Sequence, residues 1–258
     1  MKLINGILVV LAALFFAACD KTEDPEPVVR EFDITFKALY DGNRLVKNID
    51  YPYADYKVQF SLFTSYFSDI RLLKQTENGT QEVLLSEVEY IDFTPQNAPN
   101  DTSIDVTIRV KAEEGTYTGI KMGYGVKPSL NSKAPADFPS GHPLNKEVEF
   151  WPGWKSYIFN KIEGQGDGNN DGIPDIFLIY HCGSDKVYRE YEFQKEIQVG
   201  DADATQLTVE FDLKDLFQAD NQWFDMTIPS NQFTSNLATD VRVATILMDN
   251  FGRATKIK

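Results

Sequence analysis

SIDVTIRVK, residues 103–111, decides the fold. Ile104, Val106, Ile108 and Val110 alternate without a break with Ser103, Asp105, Thr107, Arg109 and Lys111. A period of two gives a strand one face to bury and one to leave in water. The same period runs outward in both directions. Upstream, Phe32, Ile34 and Phe36 alternate with Asp33 and Thr35, and Asp41-Gly42 reads as a hairpin turn. Tyr56, Val58, Phe60 and Leu62 continue the pattern, and residues 66–74 form a further candidate strand ended by Asn78-Gly79. Downstream, residues 116–126, 156–162, 176–181, 187–199 and 206–213 read as strands. Helical spacing is confined to residues 212–219 and 240–251; in the second, Val241, Thr245, Met248 and Phe251 fall at three- and four-residue steps and Gly252 reads as a stop. Many strands, frequent turn signals and little helix predict an all-β chain, an immunoglobulin-like β-sandwich with a short C-terminal helix.

The N-terminus predicts export. Lys2 precedes an apolar run over residues 8–16, too short to span a bilayer, and then Ala17-Ala18-Cys19. Small residues before a cysteine resemble the bacterial lipobox, which implies cleavage before Cys19 and acylation of its thiol. The acidic, Pro-containing stretch that follows resembles the export signals of Bacteroidota surface lipoproteins. The expected organisation is a lipoprotein signal peptide at 1–18, a disordered tether at 19–30 and the sandwich at 31–258. The expected address is the outer membrane, lipid-anchored, facing the periplasm or the cell surface. With Cys19 lipidated, Cys182 is left single and no intramolecular disulfide is available. A formal charge of -14 does not suit phosphate backbones, so nucleic acid is excluded as a partner.

Residues 140–183 concentrate the chemistry. They hold both histidines, His142 and His181, and two of the three tryptophans, Trp151 and Trp154. Between them lies Asp167-Gly168-Asn169-Asn170-Asp171-Gly172-Ile173-Pro174-Asp175, a D-x-N-x-D-G-x-x-D pattern. Calcium takes six to eight oxygens, and this spacing can wrap one ion. Asp167, Asn169 and Asp171 would give side-chain oxygens, Ile173 its carbonyl, and Asp175 a direct or water-mediated contact. Leu178 stands where an EF-hand has its Glu, so the loop is closer to the calcium loops of thrombospondin type 3 or dockerin repeats. A solvated Asp/Asn/Gly turn is the competing reading. Enzyme motifs are missing: there is no G-x-S-x-G, no His-Glu-x-x-His and no phosphate-cradling loop, and two histidines leave little room for a triad. The expectation is a protein that is not an enzyme.

Five motifs, in order, resemble one family. Residues 65–72, SYFSDIRL, are similar to the "YxSnxrL" strand of the MbnP-like copper-binding lipoproteins. Gly115-Thr116-Tyr117, Gly123-Tyr124-Gly125-Val126 and Leu130-Asn131 resemble its "GxY…fGxGV…lN" segment. His142-Pro143-Leu144, Trp151, Trp154 and Tyr157 resemble "HPL…mxWxWxxGYxF", and Glu163-Gly164 with His181 and Gly183 resemble "EG…HxG". The departures are an extra residue in Trp151-Pro152-Gly153-Trp154, Ser156 in place of a Gly, and Gln232 or Asn236 where some relatives carry a histidine. The resemblance implies copper held by His142 and His181 with an oxidised Trp151 or Trp154 (kynurenine), made by a partner di-haem peroxidase. Imidazole suits copper, whereas intact indole offers only a donor. Cys182 is expected to point away from His181, since strand neighbours face opposite sides. The alternative is a surface module that grips a glycan or protein without copper. Trp223, in the turn-like context Asn221-Gln222-Trp223, is then a core plug or a sugar platform.

Overall fold

The computed structural model describes residues 26–94, 105–200, 206–234 and 240–258. The expected signal peptide, Cys19, most of the expected tether, Ser103-Ile104 and Asn236 lie outside the described residues. The chain order is β1 (Val29–Tyr40), β2 (Asn43–Arg44), β3 (Tyr51–Tyr53), β4 (Tyr56–Thr76), β5 (Gly79–Asp92), β6 (Val106–Glu113) and β7 (Gly115–Tyr124). Then come α1 (Pro128–Asn131), β8 (Phe150–Trp151), β9 (Ser156–Asp167), β10 (Ile176–Gly183), β11 (Arg189–Val199) and β12 (Gln206–Asp212). The chain finishes with α2 (Leu213–Phe217), β13 (Gln218–Ala219), β14 (Gln222–Trp223), α3 (Arg242–Ala254) and β15 (Thr255–Ile257). It is an all-β sandwich.

One sheet runs β15-β12-β1, with β2 and β6 on the far side of β1; β1 is parallel to β12 and antiparallel to β6. The other runs β10-β9-β4-β7-β11, with β3 and β5 also on β4. Alternation in β1 and β12 buries Phe32, Ile34, Phe36, Leu207, Val209 and Phe211. Phe67 from the second sheet meets Phe36 at 5.4 Å and Phe211 at 5.1 Å between ring centroids. Each such ring is worth roughly 1.5–3 kcal/mol when removed from water. The helix α3 docks on this core through Leu247, Met248 and Phe251, and Phe251 reaches Tyr124 at 5.6 Å.

Two expectations are corrected. The run through Leu62 and the run from Tyr66 are one strand, β4, kinked by register shifts at Phe60/Leu62 and Ile70/Arg71. Gly252 does not stop α3, which continues to Ala254. A Cβ at Gly252 would lie 2.5 Å from the Tyr191 ring, so close packing on β11, not helix termination, demands the glycine.

Residues 125–155 form a cover on the outer face of the second sheet. Tyr66 and Tyr157 donate hydroxyl hydrogen bonds to the carbonyls of Pro143 and Leu144 at 3.1 and 2.8 Å. Glu149, 5 % exposed, is pinned by Lys161 at 2.8 Å and by the Tyr90 hydroxyl at 2.9 Å. Among the described residues, no helix is long and apolar enough to cross a membrane.

Candidate metal centre

Alternation along β9 and β10 sorts the chemistry by face. Ile176, Leu178, Tyr180 and Cys182 are buried toward the core, while Phe177, Ile179 and His181 point outward. His181 therefore faces away from Cys182, as expected. In register His181 lies opposite Lys161, and Glu163 is opposite Ile179, a diagonal neighbour of His181. That diagonal places His181 Nε2 2.7 Å from Glu163 Oε1. A carboxylate accepts, so the network assigns the ring proton to Nε2 and the lone pair to Nδ1. The strand is fixed at this point. Thr234 Oγ1 accepts from the His181 amide and donates to the His181 carbonyl, both at 3.0 Å.

His142 occupies a different setting, in the cover. Its ring stacks on Phe138 with centroids 4.6 Å apart and planes 16° apart. Its Nδ1 accepts from the Leu144 backbone N–H at 3.1 Å. The proton then belongs on Nε2. Ligation through Nε2 would move it to Nδ1, against the Leu144 N–H. The two imidazoles share no partner: His142 is held by Phe138 and Leu144, His181 by Glu163 and Thr234.

Trp151 and Trp154 come together. The two-residue β8 pairs with the start of β9, and Pro152-Gly153 turns the chain so that the indoles stack at 5.2 Å and 20°. The extra residue in this motif serves that turn, with Trp154 N–H donating to the Trp151 carbonyl at 3.1 Å. Both rings are half-buried. Trp154 lies over the end of β10, since a Cβ on Gly183 would stand 3.5 Å from its Cζ3 and only 2.6 Å from the Tyr157 carbonyl oxygen. The indole pair thus borders the strand that carries His181, two residues from it.

Between β9 and β10, the Asp-rich loop is organised by its own oxygens. Asp167 Oδ1 and Oδ2 accept from the amides of Asp171 and Gly172 at 3.1 and 2.8 Å. Asn169 Oδ1 accepts from Asp171 N at 2.9 Å, and Asp171 Oδ1 from Ile173 N at 2.8 Å. Asp175 Oδ1 accepts from Gly168 N at 2.7 Å. Gly172 adopts φ 88°, and the Ile173 side chain is exposed. Asn170 reaches out to the Asp55 carbonyl at 3.0 Å. Among the described residues, no three His, Cys, Asp or Glu side chains gather closely enough to hold a metal ion.

Cys182 is fully buried, and burial pushes its thiol up to about 12. Sequence reasoning missed Glu163 as the partner of His181, although both were quoted as motif residues. The signal lay in the antiparallel register, which becomes visible only once β9 and β10 are paired. The Glu149–Lys161–Tyr90 cluster left no sequence signal at all, because it joins three separate elements.

The chain matches the family model described as MbnP over residues 29–236. No curated protein matches it. Among solved structures it is similar to MbnP from Methylosinus trichosporium, at 16% identity and a TM-score of 0.49, over 75% of this chain and 80% of that one.

Proposed function

Because this chain belongs to the MbnP family, we propose that it binds copper at the cell envelope, with His181 as the primary ligand. One observation carries the choice of ligand, the 2.7 Å contact between His181 Nε2 and Glu163 Oε1. Metal-bound imidazoles almost always give their other N–H to a carboxylate, a backbone carbonyl or water, which fixes the tautomer and raises the basicity of the ligating nitrogen. His181 meets that condition at Nδ1. In this reading Glu163 orients the ligand, and the Trp151/Trp154 pair walls the β10 end or joins the ligand set after oxidation by a di-haem peroxidase. His142 enters only if its ring gives up the Leu144 amide. Anchoring through a lipidated Cys19 at the outer membrane, a binding and not a catalytic role, and calcium in the 167–175 loop complete the proposal.

Copper titration of the soluble chain, followed by metal analysis after desalting, tests it. Wild type is expected to retain about one copper per chain, and His181→Ala to lose it. Equal copper in both would remove His181 as the ligand. Failure of the wild type to take copper would favour a copper-free module for glycan or protein.

A further inference from the structure

A second site lies away from the histidines. The β3–β4 hairpin and the segment after β14 enclose a cleft of about 380 Å³, lined by Tyr53, Tyr56 and Trp223 with Asp55, Asp225 and Thr227. That volume falls within the range of small-molecule sites. The three rings are contiguous: Tyr53 stands 4.4 Å from Trp223 and 5.2 Å from Tyr56, centroid to centroid. Trp223 is half-buried, with neither a plug's burial nor a loose ring's exposure. In the same lining the Tyr56 hydroxyl is buried, with the Met226 backbone as its polar neighbour and no hydrogen bond of good geometry.

Charge gives the ligand its sign. The cleft carries two carboxylates, and among the described residues no Lys, Arg or His lines it. Asp225 Oδ1 is engaged only by its own turn, accepting from Thr227 N and Oγ1 at 2.9 and 2.6 Å. Asp55 is exposed, and among the described residues neither carboxylate has a cation within ion-pair distance. Both press on the Tyr56 hydroxyl, whose ionisation they disfavour along with burial. Aromatic faces attract cations through the ring quadrupole, and carboxylates at the rim of the cleft add to that attraction. A neutral sugar would use the rings but gain nothing from the charge of the two carboxylates.

We propose that this cleft binds the cationic head of a small organic amine, an ammonium or trimethylammonium group, over Trp223 and between Asp55 and Asp225. The site is independent of copper and of His181. The amine could be a free metabolite or a lysine side chain on another protein, and the chemistry is the same for both.

The test is calorimetry and tryptophan fluorescence on the full chain at fixed ionic strength. Its probes are choline, n-butylamine (a lysine side-chain mimic), the neutral choline isostere 3,3-dimethyl-1-butanol, and methyl glucoside. Choline or butylamine is expected to bind with Kd near ~1 mM or tighter, and the isostere about tenfold more weakly. Preference for butylamine would indicate a protein side chain as the source, and preference for choline a free quaternary amine. Asp225→Asn and Asp55→Asn, both at exposed positions, should each weaken binding by about threefold to tenfold with unchanged circular dichroism. Trp223→Phe should remove the fluorescence response and keep weakened calorimetric binding. Equal affinity for choline and its isostere, tighter binding of the glucoside, or no binding by wild type would each overturn the proposal.

Discussion

The two histidines differ in which nitrogen is left over. His181 gives Nε2–H to Glu163 and keeps a lone pair on Nδ1, whereas His142 spends its lone pair on the Leu144 amide. Their substitutions should therefore separate. Glu163→Gln keeps a hydrogen-bond acceptor but removes the charge, and copper affinity is expected to fall by about tenfold, the low end of what outer-shell partners contribute. His142→Ala should leave the copper affinity unchanged. It removes one hydrogen bond and a ring stack, worth about 1 kcal/mol, so Tm should drop by roughly 2–4 °C. Copper titration beside thermal melting reads both. If His142→Ala abolishes copper while Glu163→Gln does not, the assignment is reversed.

At the scale of elements, the 167–175 loop joins the strand of Glu163 to the strand of His181. Its side-chain oxygens already order four loop amides, those of Gly168, Asp171, Gly172 and Ile173, so an ion would find oxygens already gathered along the loop. Weak extracellular calcium sites have Kd near 10⁻⁴–10⁻³ M, and 5 mM calcium would then add about 1–2 kcal/mol. The expected shift in Tm is roughly 3–6 °C for wild type and none for Asp171→Ala, measured against chelator. The same shift in the variant would leave the loop as a turn held by its own hydrogen bonds. The outlines of these elements were legible where one face meets water. β1, β6 and β12 each alternate, and the strand reading found them. β4 was split because residues 63–68 are buried on both faces, by the core on one side and the cover on the other, and because its bulges shift the phase of the period. β5 escaped the reading, since Gly79–Asp92 buries only Val88 and Ile91.

On the scale of the whole molecule, the site was legible as residues but not as an arrangement. The motifs gather the indoles and imidazoles in one stretch of sequence, but the cover formed by residues 125–155, which has no period to read, holds His142 in a turn, while pairing of β10 with β9 puts His181 on a sheet face. The aromatic core also has a consequence for pH. All twelve tyrosines have hydroxyls held above their ordinary value, and burial is the first cause in every case. A group whose folded pKa is raised stabilises fully below its unfolded pKa and loses that contribution as pH climbs toward the folded one. Cys182, about 12 when folded against about 8.5 unfolded, begins this loss, and the tyrosines deepen it above about pH 10. Tyrosinate absorbance near 295 nm should therefore stay low through pH 10. It should then rise in one steep step together with loss of far-ultraviolet circular dichroism. A gradual titration centred at the ordinary tyrosine value, with the dichroism intact, would mean that water reaches these rings and that the sandwich is looser than its packing implies.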